Sequence, residues 1–179
     1  MTDREEIVFA LVKAAAGGSI TGKVRLQKLT YLLDQLGLNS GFRFEYHHYG
    51  PFSRDLVNAV EDAKAFGKIR EEVGARASDC APYSIFHANE GSPSQKAYGS
   101  LEKEKLRKLV TQLQWEDATV LELAATAHWL WKYERRADWR DEIVRRKGIK
   151  VQQGRLDRAV ALLHQLDIAP SERKMHRIA

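Results

Sequence analysis

Between Val24 and Val60 the spacing of apolar residues switches from helical to alternating and back, in the run VRLQKLTYLLDQLGLNSGFRFEYHHYGPFSRDLVNAV. Few folds accommodate such a change over so short a length. Thr21 follows Gly17 and Gly18 and is placed to cap a helix running from Lys23 to Leu36, with Gly37 as its left-handed stop. Leu26, Leu29, Leu33 and Leu36 recur at spacings of three and four, and Leu32 widens the stripe, so this helix docks on a core. Gln27, Lys28, Tyr31 and Asp34 are expected on its other faces. After Asn39, Ser40 and Gly41 the period becomes two, with Phe42, Phe44 and Tyr46 alternating with Arg43, Glu45 and His47, which predicts a half-buried strand. Tyr49-Gly50-Pro51 is expected to end that strand, because proline cannot donate to a ladder. Ser53 then caps a helix whose apolar side is Leu56, Val57, Val60 and Phe66.

The flanks extend this plan. Asp3 to Ala16 reads as a helix with Ile7, Leu11 and Ala14 inward, and Lys68–Val73 and Tyr83–Ala88 alternate as two strands. Three helices followed by a hairpin is a winged-helix-like order, except that a winged helix does not put an aromatic strand between its second and third helices. The Gly, Ser, Pro and Glu content of Asn89–Ser94 marks the main boundary. Beyond it, helices are predicted over Leu101–Leu113, Asp117–Tyr133, Trp139–Arg146 and Gln153–Leu166. The second of these, DATVLELAATAHWLWKY, is apolar nearly all round and is expected to be buried. The fold class that follows is α+β and mostly α: a first part over 1–90 with a small antiparallel sheet, a helical part over 91–169 packed on it, and a basic tail over 170–179.

Leu26-Gln27-Lys28-Leu29 with Tyr31-Leu32, followed after an aromatic strand by Tyr49-Gly50-Pro51-Phe52 and a helix carrying Leu56, resembles the Panacea antitoxin domain of SocA-like and YwgA-like proteins. The C-terminal domain of DarG-type antitoxins has a related pattern. The resemblance covers Ile7 to Phe86, and Thr30 departs from it where an apolar residue is usual. It implies a non-enzymatic protein that neutralises a toxin or acts as a regulatory adaptor by binding its partner. The contact residues expected are Gln27, Lys28, Tyr31, Tyr49, Gly50, Pro51 and Phe52. Tyrosines beside a rigid turn suit a protein interface, and they equally suit a seal between strand and helices; Tyr46 leans to the second role, Tyr31 and Phe52 to the first.

Charge suggests a different partner. Residues 1–100 carry 12 Lys+Arg against 12 Asp+Glu, whereas 101–179 carry 17 against 12, so the net +5 lies in the second part. A neutral first part does not suit mimicry of a nucleic acid. In RRADWRDEIVRRKGIK, arginines that fork onto phosphate flank a tryptophan that stacks on bases. Arg135, Arg136, Trp139, Arg140, Arg145, Arg146 and Lys147 therefore form an alternative, nucleic-acid-binding site. Asp138, Asp141 and Glu142 stand within helical reach of these arginines and offer simple surface ion pairs instead. The helix after Ser53 is a poor DNA reader, since Arg54 and Lys64 are outnumbered by Asp55, Glu61 and Asp62.

Other chemistry lacks a pattern. His47 and His48 are adjacent on a strand and point to opposite faces, His87 and His164 have no ligand partners at useful spacing, and His128 reads as a hydrogen-bonded core residue. Cys80, the single cysteine, has no local positive activator and fits a reducing compartment. Neither a metal, a cofactor nor a catalytic residue is expected. The acidic start MTDREE is not a signal peptide and no apolar run is long enough to span a membrane, so a cytoplasmic location is expected.

Overall fold

The computed structural model describes residues 3–171. Helix α1 (Arg4–Ala14) is buried continuously from Glu6 to Val12, because helices and strands cover it on several sides. Gly17 and Gly18 then turn the chain at positive φ into a short strand, β1 (Ser19–Thr21), which the sequence reading missed. Thr21 does not cap the next helix. Gly22 donates its amide to the Ser84 carbonyl, so the chain stays on the sheet one residue longer, and Gly22 itself, at φ 97°, makes the turn.

Helix α2 (Lys23–Gln35) is buried far beyond its leucine stripe. Gln27, Lys28, Thr30 and Tyr31 are also inside, which corrects the expectation that three of them face outward. The cause is coverage: α2 is packed on one side by the C-terminal helices and on another by the hairpin that follows it. Thr30 is compatible with this burial because its hydroxyl donates to the Leu26 carbonyl one turn earlier, at 2.8 Å. The aromatic run keeps its alternating burial from Phe42 to His47, but only Glu45–His47 is hydrogen-bonded as a strand, β2. It pairs antiparallel with β3 (Gly50–Phe52), so Gly50 and Pro51 do not end the strand but form the return strand, and the bend is His48-Tyr49. Pro51 is tolerated because this sheet has only two strands, each with an unpaired edge.

Ser53 caps α3 (Arg54–Ala65) as expected, accepting from the Leu56 amide. Leu56 and Val60 are buried, whereas Phe66, beyond the last turn, is 70% exposed. Strands β4 (Ile69–Ala75) and β5 (Pro82–Ala88) form the expected hairpin, and β1 adds to it in the order β1-β5-β4. The Gly/Ser/Pro stretch after it is tied down: the buried Glu6 carboxylate accepts from the Ser94 amide and hydroxyl and from Lys68.

A two-residue pairing, β6 (Ala97–Tyr98) with β7 (Leu101–Glu102), delays the start of α4 to Lys103; α4 ends at Gln114. Helix α5 (Ala118–Lys132), capped by Asp117, has Ala124, Ala125 and Ala127 fully buried, and α2, β3, α6 (Trp139–Lys147) and α7 (Arg155–Gln165) all pack on it. Residues from both parts of the chain thus contribute to one hydrophobic core around α5. Of the expected tail, 172–179 lies outside the described residues. Among the described residues no helix is long and apolar enough to cross a membrane.

Leu123 on α5 is fully buried, so Leu123→Ala should cost about 2–5 kcal/mol in urea unfolding, whereas Phe66→Ala should stay within about 0.5 kcal/mol.

Candidate functional site

The β2–β3 hairpin is held from behind by polar side chains of two helices and rests on a third. Gln27 makes a paired contact with the Ser53 backbone, its amide nitrogen donating to the carbonyl and its oxygen accepting from the N–H, each at 2.9 Å. Lys28, one residue further along α2, donates to the Pro51 carbonyl. From α6, Lys147 donates to the His48 carbonyl at 2.8 Å. Helix α5 supplies a flat wall: at Gly50, with φ 82°, an added Cβ would lie 2.5 Å from the Thr126 hydroxyl. The Lys28–Pro51 bond thus joins the two sequence motifs directly.

Burying Lys28 and Lys147 requires a counter-charge, and Glu122 provides it. This carboxylate, 4% exposed on α5, accepts from Lys147 at 2.9 Å and from Lys150 through both oxygens. Burial pushes the Lys28 ammonium down to about 8; the Glu122 charge opposes that fall, while Lys147 and Lys150 add to it. Burial lowers Lys147 as well, against its bond to Glu122. Sequence reading missed Glu122, although a lone carboxylate in an otherwise apolar helix was the available signal.

Beside this cluster, the Tyr31 hydroxyl and His128 Nδ1 share a hydrogen bond of 2.8 Å. Burial raises the phenol and lowers the imidazole to about 4, so at neutral pH both partners are uncharged. His128 is thus the hydrogen-bonded core residue expected. Phe44 and Trp129 pack against Tyr31, and Tyr46 lies between Trp129 and the Arg146 guanidinium.

Of the seven residues expected to meet a partner, Gln27, Lys28 and Tyr31 are turned inward and Gly50 and Pro51 are buried. Their work is support. Tyr49 is 53% exposed and Phe52 half-buried; His47, packed against Phe52, and His48, packed against Tyr49, are exposed with them. The Lys150 ammonium lies over the Tyr49 ring, 4.8 Å from its centre.

The basic segment is largely spoken for. Arg145 and Arg146 both bond Glu142, Arg146 also forks onto Glu134, Arg136 forks onto Asp138, and Lys147 is on Glu122. Trp139 is buried. On α3, Asp55 is held by Arg4 and Arg43, and Lys64 by Glu61 and Glu71, so that helix offers few donors. Among the described residues, no group of three or more His, Cys, Asp or Glu is placed to hold a metal.

No family model matches the chain. It is similar to the uncharacterized protein YwgA of Bacillus subtilis (strain 168), with 29% identity over 90 residues that cover 45% of this chain and 54% of that protein. The chain thus spans about half the length of the curated relative it matches.

Two measurements check this geometry. Glu122→Gln leaves Lys147 buried without its counter-charge, and should cost about 3–5 kcal/mol in denaturant unfolding. Because the folded His128 titrates near 4, below its unfolded value, the unfolded chain binds the extra proton between about pH 6.5 and 4. Stability should therefore fall on acidification through that window, and His128→Gln should remove that part of the slope.

Proposed function

We propose that this chain is a non-enzymatic, cytoplasmic protein-binding module of the Panacea type, an antitoxin or regulatory adaptor that neutralises a partner such as a toxin encoded nearby. The observation that carries the reading is the hairpin tip. The His48-Tyr49 bend, exposed together with the adjoining His47, is fixed from behind by Gln27, Lys28 and Lys147. Burying two ammonium groups to hold a short hairpin is a costly way to gain stability, and apolar residues of similar size often do as well or better. What the lysines add is a fixed position for the tip. A rigid aromatic tip loses little entropy on docking and buries a large area, which are the properties of an interface anchor. The titratable groups at the centre are engaged with one another rather than converging on an open cleft, which suits binding and not chemistry.

Co-expression with the product of the adjacent gene tests the proposal. Growth should be restored and the two proteins should co-purify. Tyr49→Ala should weaken the complex at least about tenfold with the melting temperature unchanged, as for an exposed anchor. A neighbour that is harmless and never co-purifies removes the toxin-neutralising function, and a complex indifferent to Tyr49→Ala removes the hairpin as its contact.

A further inference from the structure

The turn between α5 and α6 carries a second feature, separate from the hairpin. A cleft of about 630 Å³ opens there, within the roughly 300–1,000 Å³ range of small-ligand sites. Its charged lining is four cations, Lys132, Arg135, Arg136 and Arg140, against two carboxylates, Asp138 and Asp141. Arg136 is committed to Asp138 through two bonds, and Lys132 donates to Gln35 at 2.9 Å. Arg135 and Arg140 have no carboxylate partner among the described residues. Arg135 also stands at φ 57°, where glycine or asparagine is at ease and a long side chain costs about 1 kcal/mol. The Arg140 guanidinium lies over the Trp139 ring, 4.8 Å from its centre, and the half-buried Trp131 supplies an apolar wall. Arg140 and Trp139 also border an adjoining cavity of about 400 Å³.

We infer that this cleft binds a nucleotide unit. Its phosphate is held by the N–H edges of Arg135 and Arg140, and its base lies against Trp131 and the Arg140–Trp139 stack. Planar arginine forks match phosphate oxygens, and every base has a face that stacks on an indole or guanidinium plane. Asp141 lies in the same cleft and disfavours a dense polyanion, so the site suits one or two phosphates rather than a duplex backbone. The basic residues that matter are then Arg135 and Arg140, and not Arg145 and Arg146, whose guanidinium groups are taken by Glu142 and Glu134.

The full chain is titrated, by fluorescence anisotropy, into a labelled single-stranded oligonucleotide about 16 nucleotides long. In parallel, its tryptophan fluorescence is followed against AMP and ATP. Binding of the oligonucleotide alone assigns the site to a strand, and binding of the mononucleotides alone assigns it to a free nucleotide; either supports the inference. With one or two phosphates neutralised, strand affinity should fall with a log–log salt slope of roughly −0.7 to −1.4 between about 50 and 200 mM salt. The double variant Arg135→Ala with Arg140→Ala should lose at least about tenfold in affinity with unchanged circular dichroism. Arg140→Lys, which keeps the charge and loses the fork, should lose part of that, and Arg145→Ala should stay within about twofold. No binding of either probe at low salt, or binding that survives the double variant and is lost in Arg145→Ala, overturns it.

Discussion

Glu122 is the one carboxylate on a helix that otherwise buries mostly alanine, leucine and valine, and ammonium groups reach it from the far end of α6 and the turn beyond. A single buried charge on α5 would be costly; with Lys147 beside it the pair becomes a fixed point inside the molecule. Lys147 then has a donor left for the His48 carbonyl, and Lys28, under the same negative charge, has one for Pro51. In this way a charge on α5 decides where the hairpin packed against it sits. The hairpin's own two-strand ladder is too short to hold a position unaided.

The same logic explains why α5 is at the centre. Its small residues let β3, α2, α6 and α7 come close, and Gly50 has no side chain where Thr126 would meet it. Close approach turns Gln27, Lys28 and Tyr31 into inward-facing groups, and their polar atoms are satisfied by the hairpin backbone and by His128. The first and second parts of the chain are joined through these contacts and through Glu6, whose carboxylate fastens the Ser94 region to α1.

Much of this was legible in the residue pattern. The leucine stripe of α2, the serine cap of α3, the β4–β5 pair and the apolar character of α5 each follow from local spacing, and each is where that spacing puts it. What local spacing does not carry is coverage. Polar Gln27 and Lys28 look like surface until the hairpin is folded over them, and Thr21 looks like a cap until β5 captures the strand it belongs to. Gly50-Pro51 reads as a stop because proline usually is one, yet a strand in a two-stranded ladder needs no second partner for its nitrogen. Of the ion pairs expected within the Arg135–Lys150 segment, those of Asp138 and Glu142 are present and Asp141 makes none among the described residues, whereas the Lys147–Glu122 bond joins residues too distant in sequence for a helical-spacing argument to find.

The central claim is that side chains buried behind the hairpin fix it in place. Amide hydrogen exchange, residue by residue, is the most direct check, using the parent and the Lys28→Met variant. The amides of the β2–β3 ladder should lose protection in the variant while those of β4 and β5 keep theirs, since Lys28 touches the Pro51 carbonyl and not that sheet. Equal hairpin protection in the two proteins would contradict the account, because the hairpin would then be holding itself.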